Sequence, residues 1–326
     1  MSNEHPPPPS SPNNQHPRYW FDDGSIILRI SDSEVSFKLH GSLLSRHSTY
    51  FRQMLQAGST STIVTIPPEL GVQVDDFVSL LEHLYHDTVL SPDDVSFPHT
   101  ASLLRISSPP QLDIPLIHRL ARAHLERMYP SGPVPFVHPG HLDEALALAV
   151  QYKITSIQKG LYYSLVTTTD FEPGVFPGSE DGIRPGLSTC EDAMAGSVSA
   201  EGVQTEMTCP VALTLTPADV ERCRSLMTDL VDHFTPILFT PPTTPHMPCT
   251  DVFADQWMPL VVQSAITNSV DGGIYKPLET LERIKQIDWA KEGLCPACVW
   301  EKRDEWTREQ EEVWEKMDGW LSLNMK

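Results

Sequence analysis

The sequence predicts an α+β fold in which a short β-sheet with flanking helices leads into a mostly α-helical C-terminal region. Three observations predict it. Two β-branched runs, SIILRI (Ser25 to Ile30) and EVSFKL (Glu34 to Leu39), flank SDS, which is turn chemistry, so they read as a hairpin. From about residue 99 onward, apolar residues recur at helical spacing through most of the chain. A hydrophobic content of 40% over 326 residues fills the core of one large or two modest domains.

The elements follow in order. Residues 1–18 read as a disordered, proline-rich leader; its PPPPSSP tract suits a polyproline II helix or a solubilising tail. After the hairpin, Ser48 starts a helix with Tyr50, Phe51, Met54 and Leu55 on one face. STIVTIPP is a third strand stopped by its prolines. Asp75 is placed to cap a helix striped with Phe77, Leu81 and Leu84. HTASLLRI is a short helix. Asp113 opens one carrying Ile117, Leu120, Ala121, His124, Leu125 and Met128. Leu142, Ala145, Leu146, Ala149 and Val150 form a regular stripe, and Thr155 with Gln158 reads as a capping box.

Residues 170–212 carry eight acidic residues against Arg184 alone and read as a disordered acidic loop. Helical periodicity then returns. Thr216, Pro217 and Asp219 give a cap, a proline at the first helical position and an acidic capping box, followed by Val220, Cys223, Met227, Leu230, Val231 and Phe234. Phe253 to Ala265 suggests a helix that Pro259 kinks. PLETLERIKQI is another. In the last helix Val299, Trp306, Val313 and Trp320 recur every seven residues, a coiled-coil-like stripe that docks on its own domain or on a partner helix.

Composition excludes several function classes. The formal net charge of −20 repels phosphate backbones and anionic lipid, so neither nucleic acid nor membrane is an expected partner. No apolar run reaches the roughly 20 residues that span a bilayer. The leader has no apolar signal-peptide segment, which together with irregular cysteine spacing points to the cytoplasm or nucleus and to reduced cysteines.

The stretch FKLHGSLLSRHSTYFRQML (Phe37 to Leu55) resembles the signature of the BTB (POZ) domain, in which a phenylalanine, a histidine, a basic residue and an apolar helix follow at fixed intervals. The matching residues are Phe37, His40, Leu43, Leu44, Ser48, Phe51 and Leu55, with Asp23 as the acid before the first strand. Where the family has Lys or Arg, this chain has Gly41, so the family's charged surface pocket is not carried over. Segments further along, including LTPADVERCRSLM and LCPACVWEKRDEWTREQEEVWEKMDGWLSL, resemble the BTB-domain proteins common in fungi. The resemblance implies a BTB domain over residues 19–130, a helical extension over 131–169 and a C-terminal helical region over 213–326.

The resemblance also implies function: a non-enzymatic protein-interaction module, a homodimer through the BTB domain that binds protein partners. The alternatives are a nuclear transcription-related regulator with a zinc-stabilised C-terminal element and a cullin-3 substrate adaptor, for which no specific motif is present. No catalytic or cofactor-binding residues stand out. His40 is expected to be a fold-defining anchor, and SIQK (Ser156 to Lys159) lacks the companion motifs of a Ser-x-x-Lys enzyme. The one set of metal-type residues is His246 and Cys249 with Cys295 and Cys298. Thiolate and imidazole suit structural zinc, but 45 residues separate the pairs, so the other reading is two cysteines packed at a helix start beside Trp300.

Overall fold

The computed structural model describes residues 14–31, 33–56, 63–88, 90, 96–130, 132, 140–169, 171, 215–267 and 273–322. Most of the leader and nearly all of the acidic loop lie outside the described residues. The chain divides into two compact units, Met1–Ser164 and Leu165–Lys326.

The first unit is built on a four-stranded mixed sheet of β1 (Gln15–Trp20), β2 (Ile26–Ile30), β3 (Ser36–Leu39) and β4 (Ile63–Ile66), in the order β1-β3-β2-β4. β2 and β3 form the expected antiparallel hairpin, while β1 runs parallel to β3 and β4 parallel to β2. Residues 15–18, expected in the leader, are therefore part of the sheet. Strand alternation selects the core face: Ile26, Leu28 and Ile30 are buried. They share a core with Phe37, Leu39, Phe51, Phe77, Leu80 and Leu81, all but fully buried.

Among the described residues seven α-helices accompany the sheet: α1 (Gly41–His47), α2 (Thr49–Gln56), α3 (Val74–Leu84), α4 (Phe97–Ile106), α5 (Pro115–Met128), α6 (Leu142–Gln151) and α7 (Thr155–Thr168), within which the chain passes to the second unit. Three expected helix starts differ. Gln73 precedes α3, with Asp75 inside its first turn. α5 begins two residues after Asp113, whose carbonyl and carboxylate instead accept hydrogen bonds from Thr49. Gln158 does not close a capping box; its side chain donates to the Ala149 carbonyl at 2.9 Å. Leu120, expected in the core stripe of α5, is 40% exposed. A charged cluster ties three helices: the Arg105 guanidinium of α4 donates two hydrogen bonds to Asp76 of α3, at 2.8 and 2.9 Å, and one to Glu144 of α6 at 2.7 Å. Asp76 is 4% exposed, so this fork meets the demand of a buried carboxylate for partners.

The second unit is helical: α8 (Pro217–Phe239), α9 (Met247–Trp257), a π-helical turn over Met258–Val262, α10 (Gln263–Thr267), α11 (Pro277–Gln286) and α12 (Pro296–Trp320). The π turn is where Pro259 was expected to kink the helix, since proline removes an N–H and crowds the preceding turn. Thr216 caps α8 as expected, accepting from the Asp219 N–H at 3.2 Å and donating to the Asp219 carboxylate at 2.6 Å. On α8 the buried stripe runs Cys223, Leu226, Leu230, Phe234 and Leu238, one position off the expected Met227.

Aromatic rings fill the second core. Trp257 and Trp289 stack at 6.1 Å between centroids, and Phe253 meets Trp289 edge-on at 4.8 Å. The indole N–H groups are satisfied, Trp257 to Leu238 O at 2.8 Å and Trp289 to Ile284 O at 2.9 Å, as burial of a polar handle requires. α12 packs on α11 and α8 of its own unit. Its buried face is Cys298, Lys302, Trp306, Gln310, Val313 and Met317, wider than the seven-residue repeat, with Val299 and Trp320 half-buried at its edges. Gln310 earns its burial by donating to Leu278 O at 2.8 Å and accepting from Lys285 at 2.6 Å.

Candidate functional site

The motif residues of the first unit converge on one junction. β3 ends at Leu39, His40 precedes α1, and Ser48 separates α1 from α2. His40 Nδ1 lies 2.9 Å from the Tyr85 hydroxyl and Nε2 lies 3.2 Å from Asp23 Oδ1. Both ring nitrogens are engaged, and Phe21 and Tyr85 pack on the ring. The hydrogen bond from His40 lowers the Asp23 carboxyl below its ordinary pKa, and burial raises the Tyr85 hydroxyl. Ser48 Oγ accepts the Phe51 N–H at 3.1 Å and donates to the carbonyl of Leu112, 64 residues away. It thus caps α2 and joins it to the chain ahead of α5. Phe37, Leu44 and Phe51 are buried, while Leu43 and Leu55 are half-buried.

Gly41 has a steric explanation. An added Cβ would lie 3.1 Å from Ile26 Cγ2, 3.3 Å from Leu55 Cδ1 and 3.3 Å from Ser25 Oγ, and the Gly41 N–H donates to that hydroxyl at 3.0 Å. The position is buried packing, and Asp23 takes His40 as its partner. Tyr85 and Leu112, which complete this junction with Ser25, carry no local signal, since each is brought there by folding across 45 and 64 residues.

The second constellation lies wholly in the second unit. His246 is the N-cap of α9 and Cys249 lies in its first turn; Cys295 is the N-cap of α12 and Cys298 lies in its first turn. The ligand atoms of all four residues lie within 4.8 Å of one another. His246 Nδ1 is 3.2 Å from Cys295 Sγ and 3.4 Å from Cys298 Sγ. The Cys295 N–H points at Cys249 Sγ at 3.4 Å. Cys249 and Cys298 are buried, Cys295 half-buried and His246 exposed; the three cysteines are free thiols. The Cys298 N–H and the His246 ring beside Cys295 lower its thiol to about 6, whereas burial pushes the Cys298 thiol up to about 11. The four residues named from sequence are thus one cluster despite the gap between the pairs, and it can hold a metal ion. Trp300, offered as the packing partner of the cysteines, is 73% exposed.

A small mixed sheet with helices packed around it holds His40 in its frame through Tyr85 and Asp23. The family model for the BTB/POZ domain matches residues 24–112, from the turn before β2 to the loop after α4. That segment is a BTB/POZ domain, followed by a helical C-terminal region. No curated protein matches the chain. BTB domains are in general non-enzymatic protein-interaction modules.

Proposed function

We propose that this protein is a non-enzymatic interaction module of the reducing cytosol or nucleus. Its BTB domain self-associates and binds protein partners, and its second unit is a metal-held helical scaffold offering another surface. The observation that carries this reading is the BTB match over residues 24–112 together with the use of its motif residues: His40 and Ser48 spend their hydrogen bonds on the fold. Such a domain acts through shape and buried apolar area, and a stable dimer buries about 1,200–2,000 Å² in total.

Nucleic-acid binding through α12 finds little support in its charges. Lys302, Arg308 and Lys316 are each paired with an acid on the same helix, namely Glu305, Asp304 and Glu312. Sedimentation velocity of the full chain at tens of micromolar tests self-association: a dimer is expected, and a strict monomer overturns it. Affinity purification with mass spectrometry identifies the partner, and a cullin among the prey assigns the adaptor role.

A further inference from the structure

We infer that the His246 imidazole and the thiolates of Cys249, Cys295 and Cys298 bind one zinc ion as a closed structural site that staples the start of α9 to the start of α12. This deepens, and rests on, the reading of the second unit as a metal-held scaffold.

The arrangement repeats itself. Each pair places one ligand at a helix N-cap and the next three residues on, with a proline between, at Pro248 in α9 and Pro296 in α12. These are the positions that a capping box uses, because N-cap and third-residue side chains both fold back over the open end of the helix. Here the polar caps are replaced by two pairs of metal-binding groups, and the two open ends face a common point. The short nitrogen–sulfur separations of 3.2 and 3.4 Å match the edge of a tetrahedron, about 3.5 Å for zinc with sulfur and nitrogen ligands.

The donor set selects the ion. Three soft sulfurs and an imidazole favour zinc over magnesium or calcium, which take oxygen. Four protein ligands complete a tetrahedron and leave no open position, which marks a structural rather than a catalytic site. Charge agrees: zinc with three thiolates and a neutral imidazole carries a net charge of about −1, and each helix N-terminus presents about half a positive charge to it. The same ends would repel a bare cation, so the thiolates are what make the site.

The test uses the full chain purified without added metal. Elemental analysis is expected to find about one equivalent of zinc, retained in a Cys223→Ser control, because Cys223 is buried on α8 outside the cluster. Exchange with cobalt is expected to give the intense visible bands of a tetrahedral ion and a thiolate charge-transfer band in the near ultraviolet, a readout that needs no variant. His246→Cys is expected to keep the equivalent, and Cys298→Ser to fall several-fold below it. A full equivalent of a different metal, or an octahedral cobalt spectrum, overturns the zinc assignment and leaves a metal-held scaffold standing. Less than about a tenth of an equivalent of any metal overturns both.

Discussion

The two units solve one problem by different means. The first builds a sheet-and-helix core in which a short motif is tied to distant segments by many separate hydrogen bonds and strand pairs, such as Ser48 to Leu112, His40 to Tyr85 and β2 to β4. The second assembles α8, α9, α11 and α12 around stacked indoles, and its His246/Cys249 and Cys295/Cys298 pairs meet across Cys249 and Cys295, 46 residues apart. The first therefore spreads its long-range closure over many separate contacts, whereas the second gathers much of its own at one four-residue cluster. Loss of a single closure should cost the second unit far more than loss of any one contact costs the first.

Metal removal is the largest test of that contrast. Chelation of the full chain should lower or abolish the melting transition of the second unit and leave that of the first in place; calorimetry with and without chelator reads it, and an unmoved profile would break the comparison. Next come the aromatic cores. Trp289→Ala in the second unit and Phe77→Ala in the first, both fully buried, should each cost about 3–5 kcal/mol by denaturant titration. Arg105→Met, which strands Asp76 against α4, should cost about 2–4 kcal/mol, less than a fully buried pair because Arg105 is 32% exposed. Replacing Asp76 by Asn in the same chain should recover part of that loss. The smallest expected effect is Thr216→Ala, about 1 kcal/mol, from the cap of α8.

Acid should distinguish the units in another way. Burial, and then the nearby His99, His86 and His47, lower the pKa of His83 in the first unit. The fold thus favours neutral His83, and its contribution is complete above the unfolded value of about 6.5 and lost as pH falls through the lower folded value. Thermal melts of the first unit should weaken below that pH, and His83→Gln should flatten the dependence.

Much of the first unit was legible because its signals are local. Phe37, His40, Ser48 and Phe51 sit within one short stretch, and the hairpin and its turn are adjacent. β1 was not, since QHPRYW has neither alternation nor β-branched residues and pairs only because β3 offers it an edge. The capping reading of Thr155 and Gln158 failed because α7 begins at Thr155 itself, which leaves Gln158 one position past the third residue, where its amide donates to Ala149 O instead. At the metal cluster the residue types and the i, i+3 spacing were legible, while the convergence of the pairs was not, because it depends on how α9 and α12 pack.

The division of the cluster between two distant segments also sets a timetable. A ribosome adding about 5–20 residues per second reaches Cys298 roughly two to ten seconds after Cys249. During that interval the proposed site has only His246 and Cys249, two of its four ligands. On the zinc proposal, that closure of the second unit waits for the segment carrying Cys295 and Cys298, whatever the rest of the unit has already formed.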